Sequence, residues 1–133
     1  MIMNTPSISA QDYQALLTAM ASQTFFYILT ITQKTEEIAP ADLAETLLPI
    51  HPLTLAGLNT AISRLSKISI LESNGSIYHH HRTYHVHPRF KDMVEYLTKP
   101  LHSKEIEKAI EDFNKRKEKG ELLIQQRLRQ QKV

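Results

Sequence analysis

Two groups of side chains in this 133-residue sequence have the types and spacing to do chemistry. The first is a cluster of histidines. Five of the seven lie between His79 and His87, namely His79, His80, His81, His85 and His87. Along an extended strand His79 and His81 share one face, as do His85 and His87. Such an i, i+2 pair can offer two imidazoles to a divalent metal. No Cys, Asp or Glu lies within the cluster to complete a ligand set. His79, His81, His85 and His87 are therefore metal candidates by spacing alone, and the expectation is that no metal is bound. The same rings can hydrogen-bond phosphate, more strongly when protonated.

The second group lies between Thr54 and Lys67. Leu55, Leu58, Ile62 and Leu65 are spaced 3, 4, 3, a narrow apolar stripe that leaves most of a helix circumference free. The free face carries Gly57, Asn59, Thr60, Ser63, Arg64 and Lys67, and no acid occurs from Ala56 to Leu71. Small, polar and basic residues on one helix face suit close approach to base edges and phosphates. Asn59 can pair with adenine, Arg64 with guanine or phosphate, and Thr60 and Ser63 with either. A solvated polar face in an interaction domain is the other reading.

Catalytic constellations are missing. Three glycines in the whole chain do not make a phosphate loop, there is no cysteine nucleophile, and no H-E-x-x-H occurs. The expectation is a protein that is not an enzyme and uses no cofactor. Without cysteine there are no disulfides or thiolate metal sites. The longest apolar run, Phe25–Leu29, is too short to span a bilayer, and no signal peptide is evident, so the expected location is cytoplasmic.

Charge is unevenly spread. Residues 1–50 hold one lysine and five acids (−4), residues 51–98 sum to +2, and residues 99–133 sum to +4. A second half that meets a polyanion would have this polarity.

The elements that position these groups follow from periodicity and caps. Ser9 caps a helix over Gln11–Met20, with Tyr13, Leu16, Leu17 and Met20 on one face. Ser22–Gln33 has the β-branched and aromatic content of a strand, yet Phe25, Ile28, Leu29 and Thr32 sit at helical spacing. The reading is a buried helix. Ile38 can pair as a single bridge with a later hairpin. Pro40–Leu48 is a helix opened by proline, with Asp42 and Glu45 near its positive end and Leu43, Ala44 and Leu47 inward. Thr54 caps the next helix, Thr54–Lys67. Ile68–Leu71 starts a strand, and Asn74-Gly75 is either the hairpin turn or a kink before a tip at His79–Arg82. Thr83–His87 alternates, with Tyr84 and Val86 on one face. Pro88 opens a helix over Arg89–Leu97, with Phe90, Val94 and Leu97 inward. Ser103 caps a last segment in which Ile106, Ile110 and Phe113, then Leu123, Ile124 and Leu128, form a broken stripe around Gly120, where one helix can end and another begin; packing on the chain's own N-terminal helices is the other reading of that stripe.

Residues Ala39–Pro88 resemble the winged helix-turn-helix of the ArsR- and MarR-type regulators. Pro40-Ala41-Asp42-Leu43-Ala44-Glu45-Thr46-Leu47 is similar to the family's x-x-x-LA-x-x-L first helix. Leu58-Asn59-Thr60-Ala61-Ile62-Ser63-Arg64-Leu65 is similar to its V-S-x-x-L-x-x-L recognition helix. Ile70-Leu71-Glu72 and Thr83–Pro88 are similar to the strands of its wing. Two departures stand out: the turn Leu48–Leu53 is about four residues longer than usual and holds two prolines, and Ser69 stands where the family usually has glycine.

The resemblance implies a mainly α fold with a small β-hairpin, a winged helix-turn-helix plus a long C-terminal helix. Residues 9–98 would be the winged-helix domain and residues 103–131 a C-terminal helical segment for dimerisation or partner docking. It further implies a sequence-specific binder of double-stranded DNA, a transcriptional regulator that reads the major groove as a homodimer joined through the C-terminal helix. The contact residues would be Thr54, Gly57, Asn59, Thr60, Ser63, Arg64 and Lys67, with His80 and Arg82 from the wing. The alternative is a winged-helix protein-interaction module in a replication, partition or chromosome-associated assembly.

Overall fold

A computed structural model describes residues 7–74 and 82–130. Seven helices and one two-stranded antiparallel sheet follow in the order α1 (Ala10–Met20), α2 (Gln23–Thr35), α3 (Pro40–Leu47), α4 (Leu55–Lys67), β1 (Leu71–Ser73), β2 (Tyr84–Val86), α5 (Pro88–Thr98), α6 (Lys104–Glu118) and α7 (Leu123–Gln130). The fold is thus mainly helical with a small hairpin.

The central element is α2. Ser22 caps it by accepting from the Phe25 N–H. Its middle, Ile28 to Thr32, is buried all round. Two of the buried threonines bond back to the helix, Thr30 donating to the Phe26 carbonyl (2.7 Å) and Thr35 to the Ile31 carbonyl (2.8 Å), while the buried Thr32 hydroxyl has no hydrogen-bond partner among the described residues. The β-branched content that favoured a strand is absorbed this way, and the helical spacing decides the element.

Helix α1 packs on α2 through Leu16 and Ala19. The expected inward face was wider. Tyr13 and Leu17 are instead 39% and 43% exposed, because α1 meets the core along a narrow line only.

The segment after α2 turns through Glu36, at φ 69° and ψ −49°. Ile38 then bridges to Tyr84 with reciprocal backbone hydrogen bonds of 3.0 and 2.9 Å, adding a third short strand segment beside the hairpin. In the hairpin Leu71 faces Val86, Glu72 faces His85 and Ser73 faces Tyr84. The strand starts at Leu71 rather than Ile68, which ends α4 and is exposed. The Asn74 N–H also bonds to the Thr83 carbonyl (2.9 Å), so pairing reaches Asn74, and β1 pairs with residues 84–86. The tip itself, with Gly75 and His79–His81, lies outside the described residues.

The end of α4 explains the serine where glycine was expected. The Ile70 N–H bonds to the Leu65 carbonyl (3.0 Å) and the Ser69 N–H to the Ser66 carbonyl (3.1 Å). This is a Schellman cap with Ser69 in the left-handed region at φ 64°, backed by contact-ready Leu65 and Ile70, both fully buried. An L-residue is strained there, and Ser69 is exposed with no packing to lose. Ser69→Gly is therefore expected to stabilise the fold by about 0.5 kcal/mol, read as a higher urea midpoint with an unchanged slope.

The C-terminal segment corrects two expectations. It is two helices, not one long one. Gly120, at φ 70°, ends α6 with the same paired cap, the Glu121 N–H bonding to the Arg116 carbonyl (2.8 Å) and the Gly120 N–H to that of Lys117 (3.1 Å). It also does not stand apart. Ile106, Ile110, Phe113, Leu122 and Ile124 join the same apolar cluster as Leu29, Leu47 and Phe90. Most of the stripe expected to face a second copy is spent inside the chain, where α6 packs on α2 and α3, and α7 on α3, while Leu123 is half-buried and Leu128 stays 44% exposed.

Candidate nucleic-acid interface

Helix α4 stands on α2, α3 and β1 through Leu58, Ala61, Ile62 and Leu65, all buried. Thr54 begins it, its hydroxyl accepting from the Gly57 N–H at 3.0 Å. The opposite side presents Asn59, Thr60, Ser63, Arg64 and Lys67, every one exposed. Their spacing of 1, 3, 1 and 3 keeps them on a single stripe about two and a half turns long. Five of the seven helix residues expected to contact DNA are thereby brought together.

The other two have local jobs. Thr54 is exposed but its hydroxyl is engaged as the cap. Gly57 is a packing position: a Cβ there would lie 2.9 Å from Leu53 Cδ1 and 3.2 Å from Thr54 Oγ1. The side chain of Leu53, the last turn residue but one, folds over the helix where Gly57 leaves room. Leu55, expected inward, is 56% exposed, since the long turn delivers the helix start beyond the core.

That turn is held, not loose. The Ile50 and His51 N–H groups both bond to the Leu47 carbonyl at 3.0 Å. The His51 ring is buried against α2, where Nε2 lies 2.9 Å from Thr24 Oγ1 and the ring meets Tyr27 edge-on at 5.1 Å. The two additional prolines flank a histidine anchor that fixes how α4 is presented.

A cleft of about 310 Å³ separates the last turn of α4 from the hairpin, lined by Ser66, Ser69, Glu72, Arg82, Tyr84 and His87. Arg82 thus lies on the α4 side of the hairpin. His80 lies outside the described residues.

The sequence reading found no carboxylate for the histidines because Glu72 comes from the neighbouring strand. Its carboxylate lies 2.9 Å from His85 Nε2 and 3.3 Å from His87 Nε2. His87 Nδ1 accepts from the Arg89 N–H (3.1 Å), capping α5, so in the neutral ring the proton sits on Nε2, the nitrogen that faces Glu72. A metal on Nε2 would move that proton to Nδ1 and break the cap. Glu72 holds His85 by a hydrogen bond and lies within ion-pair distance of His87, and no group of three His, Asp or Glu among the described residues is placed to hold a metal ion. His79 and His81 lie outside the described residues. A second brace ties Glu37 to Asn74 and Thr83, fixing the root of the hairpin to the end of α2.

The first helix of the pair, α3, is braced from the C-terminal side. Arg116 pairs with Glu45 and donates to Thr46 Oγ1 (3.4 Å). Asp42 is fully buried, and its two carboxylate oxygens accept from the Leu123 N–H (2.8 Å) and the Ile124 N–H (3.2 Å). Asp42 stands in the first turn of α3, as its sequence position implies, and its carboxylate also caps α7. On the outer side of α6, the hydrogen bond from Lys115 to Glu111 raises the lysine's pKa. This exposed pair lies one helix turn apart and decorates the surface.

Comparison of the chain with protein-family models, with curated proteins and with solved structures gives no match.

Proposed function

We propose that the protein is a winged helix-turn-helix that binds double-stranded DNA in a sequence-specific way, with α4 in the major groove and the hairpin against the backbone. It would act as a transcriptional regulator in the cytoplasm, working as a homodimer and without catalysis. The observation that carries this reading is the outer face of α4, where Asn59, Thr60, Ser63, Arg64 and Lys67 are all exposed and no acid intervenes from Ala56 to Leu71. The order α2, Ile38 bridge, α3, α4, β1, β2 supports the winged-helix assignment. A helix of this width fits the B-form major groove, and its short polar side chains allow close approach. Phosphate contacts make affinity fall steeply with salt, by close to one power of the salt concentration for each phosphate neutralised. Fluorescence anisotropy with random duplex across a salt series checks this. Absence of duplex affinity at low salt overturns the proposal, and selection from a random duplex pool returns the site if it holds.

One observation favours a second reading, a protein-interaction module in a replication, partition or chromosome-associated assembly. Leu55 is exposed beside Ala44, Leu48 and Pro49, an apolar patch at the start of α4 where groove entry calls for polar groups. It adjoins a groove of about 480 Å³ between α3 and α6, lined by Ile50, Ala109, Glu105, Lys108, Asp112 and Arg116.

A further inference from the structure

From Ser7 to Gln33 the only charged side chain is Asp12, in a chain in which 23% of residues are charged. Burial accounts for this in α2 and not in α1. The outward residues of α1 include Ala10, Gln14, Tyr13, Leu17, Thr18 and Ala21, all exposed and all neutral. Asp12 lies on the opposite side of α1, with the buried Leu16 and Ala19, and is engaged with Arg89 of α5 at 3.3 Å.

We propose that the outward face of α1 is a self-association surface, occupied by α1 of a second copy of this chain. A helix face without charge is unusual on a protein that is otherwise well charged, and loss of charge is the compositional mark of an interface centre. Electrostatics selects the occupant. Paired with itself about a twofold axis, the face meets an equally neutral face, and no ion is stripped of water. Gln14 and Thr18 each both donate and accept, so they are complementary to their own copies. Ala10 and Ala21 at the two ends let the backbones approach. A membrane surface is a poorer occupant. The face has no Lys or Arg for lipid headgroups, and Gln14 and Thr18 interrupt its apolar strip. Among the described residues no single helix is long and apolar enough to cross a membrane, and the bent pair α1–α2 that meets the length and composition limits has its second member buried in the core.

An 11-residue helix is about 16 Å long, so this face alone sits at the small end of stable interfaces and gives a weak, concentration-dependent dimer. The association requires no DNA and is measured without it, so its outcome is separate from that of the duplex-binding proposal. In sedimentation velocity through the micromolar range, the mass of the full chain rises from 15.3 kDa toward twice that value. Leu17→Lys places an ammonium at the centre of the face and raises the dissociation constant about tenfold or more. Leu128→Lys, on the exposed side of α7, leaves it unchanged. Because Leu17 is exposed, the variant keeps its fold, which circular dichroism verifies. The chain has no cysteine, so Leu17→Cys supplies a single thiol that a short bis-maleimide joins into a covalent dimer. Leu128→Cys under the same conditions stays monomeric. A wild-type chain that remains at 15.3 kDa throughout, a Leu17→Lys variant that associates like wild type, or equal cross-linking at both positions overturns the proposal. So does recovery of the chain on neutral or anionic vesicles that Leu17→Lys abolishes while the free protein stays monomeric.

Discussion

Asp42→Ala is expected to lower the stability of the fold by about 3 kcal/mol, a fall in melting temperature of roughly 10 °C. The carboxylate is fully buried and accepts from two backbone N–H groups at the start of α7, which have no other place to turn once α7 is docked. Hydrogen bonds to a charged group contribute more than neutral ones, and truncation leaves two buried donors without acceptors. Asp42→Asn keeps one acceptor and turns an amide N–H₂ toward the other donor, so it is expected to cost about half as much. Urea unfolding gives the free energies, and hydrogen exchange at the Leu123 and Ile124 amides shows where the loss falls. Unaltered protection of those two amides in Asp42→Ala would sink the capping role.

The second large effect is on duplex binding. Arg64→Ala is expected to weaken affinity for the selected site by 1–3 kcal/mol, about tenfold to a hundredfold. The guanidinium is exposed at the middle of the α4 stripe, between Ser63 and Lys67. If Arg64 reads guanine, the loss is confined to the selected site. If it binds phosphate, random duplex weakens equally and the salt slope falls by about one. Thermal stability should not move, since Arg64 lies away from the core. Duplex affinity that is indifferent to Arg64→Ala favours the interaction-module reading, and with it the apolar patch around Leu55 as the working surface.

What the sequence made legible was local. Ser9, Ser22, Thr54 and Ser103 mark helix starts because a cap is decided within four residues, and each accepts from the N–H three positions on. Pro40 and Pro88 open helices for the same reason. The polar face of α4 was readable because periodicity alone separates Leu58, Ile62 and Leu65 from Asn59, Ser63 and Arg64. What stayed hidden depends on pairs distant in sequence. Asp42 meets Leu123 across 81 positions, His51 meets Thr24 across 27, and Glu72 meets His85 through strand register. No local pattern announces such partners. Leu17 and Leu55 were assigned inward because their spacing allowed it, and only the packing of whole helices decides which edge of a stripe remains in water. The C-terminal stripe stayed open between a second copy and the chain's own helices for a related reason. A helix seam looks the same from sequence whether its partner is another copy or the same chain.

The link between Asp42 and α7 also has a consequence for how the protein is made. Chain synthesis delivers α3 and α4 long before residue 123, and until then the Asp42 carboxylate has no helix end to cap and must remain hydrated rather than enter the core. Helix α3 therefore completes its packing only once α7 is available to dock on it. Contacts closed over so long a loop form late, and they bring the whole domain to its final state in one step. A chain that stops short of Leu123 leaves the buried face of α3 around Asp42 without the helix end it caps.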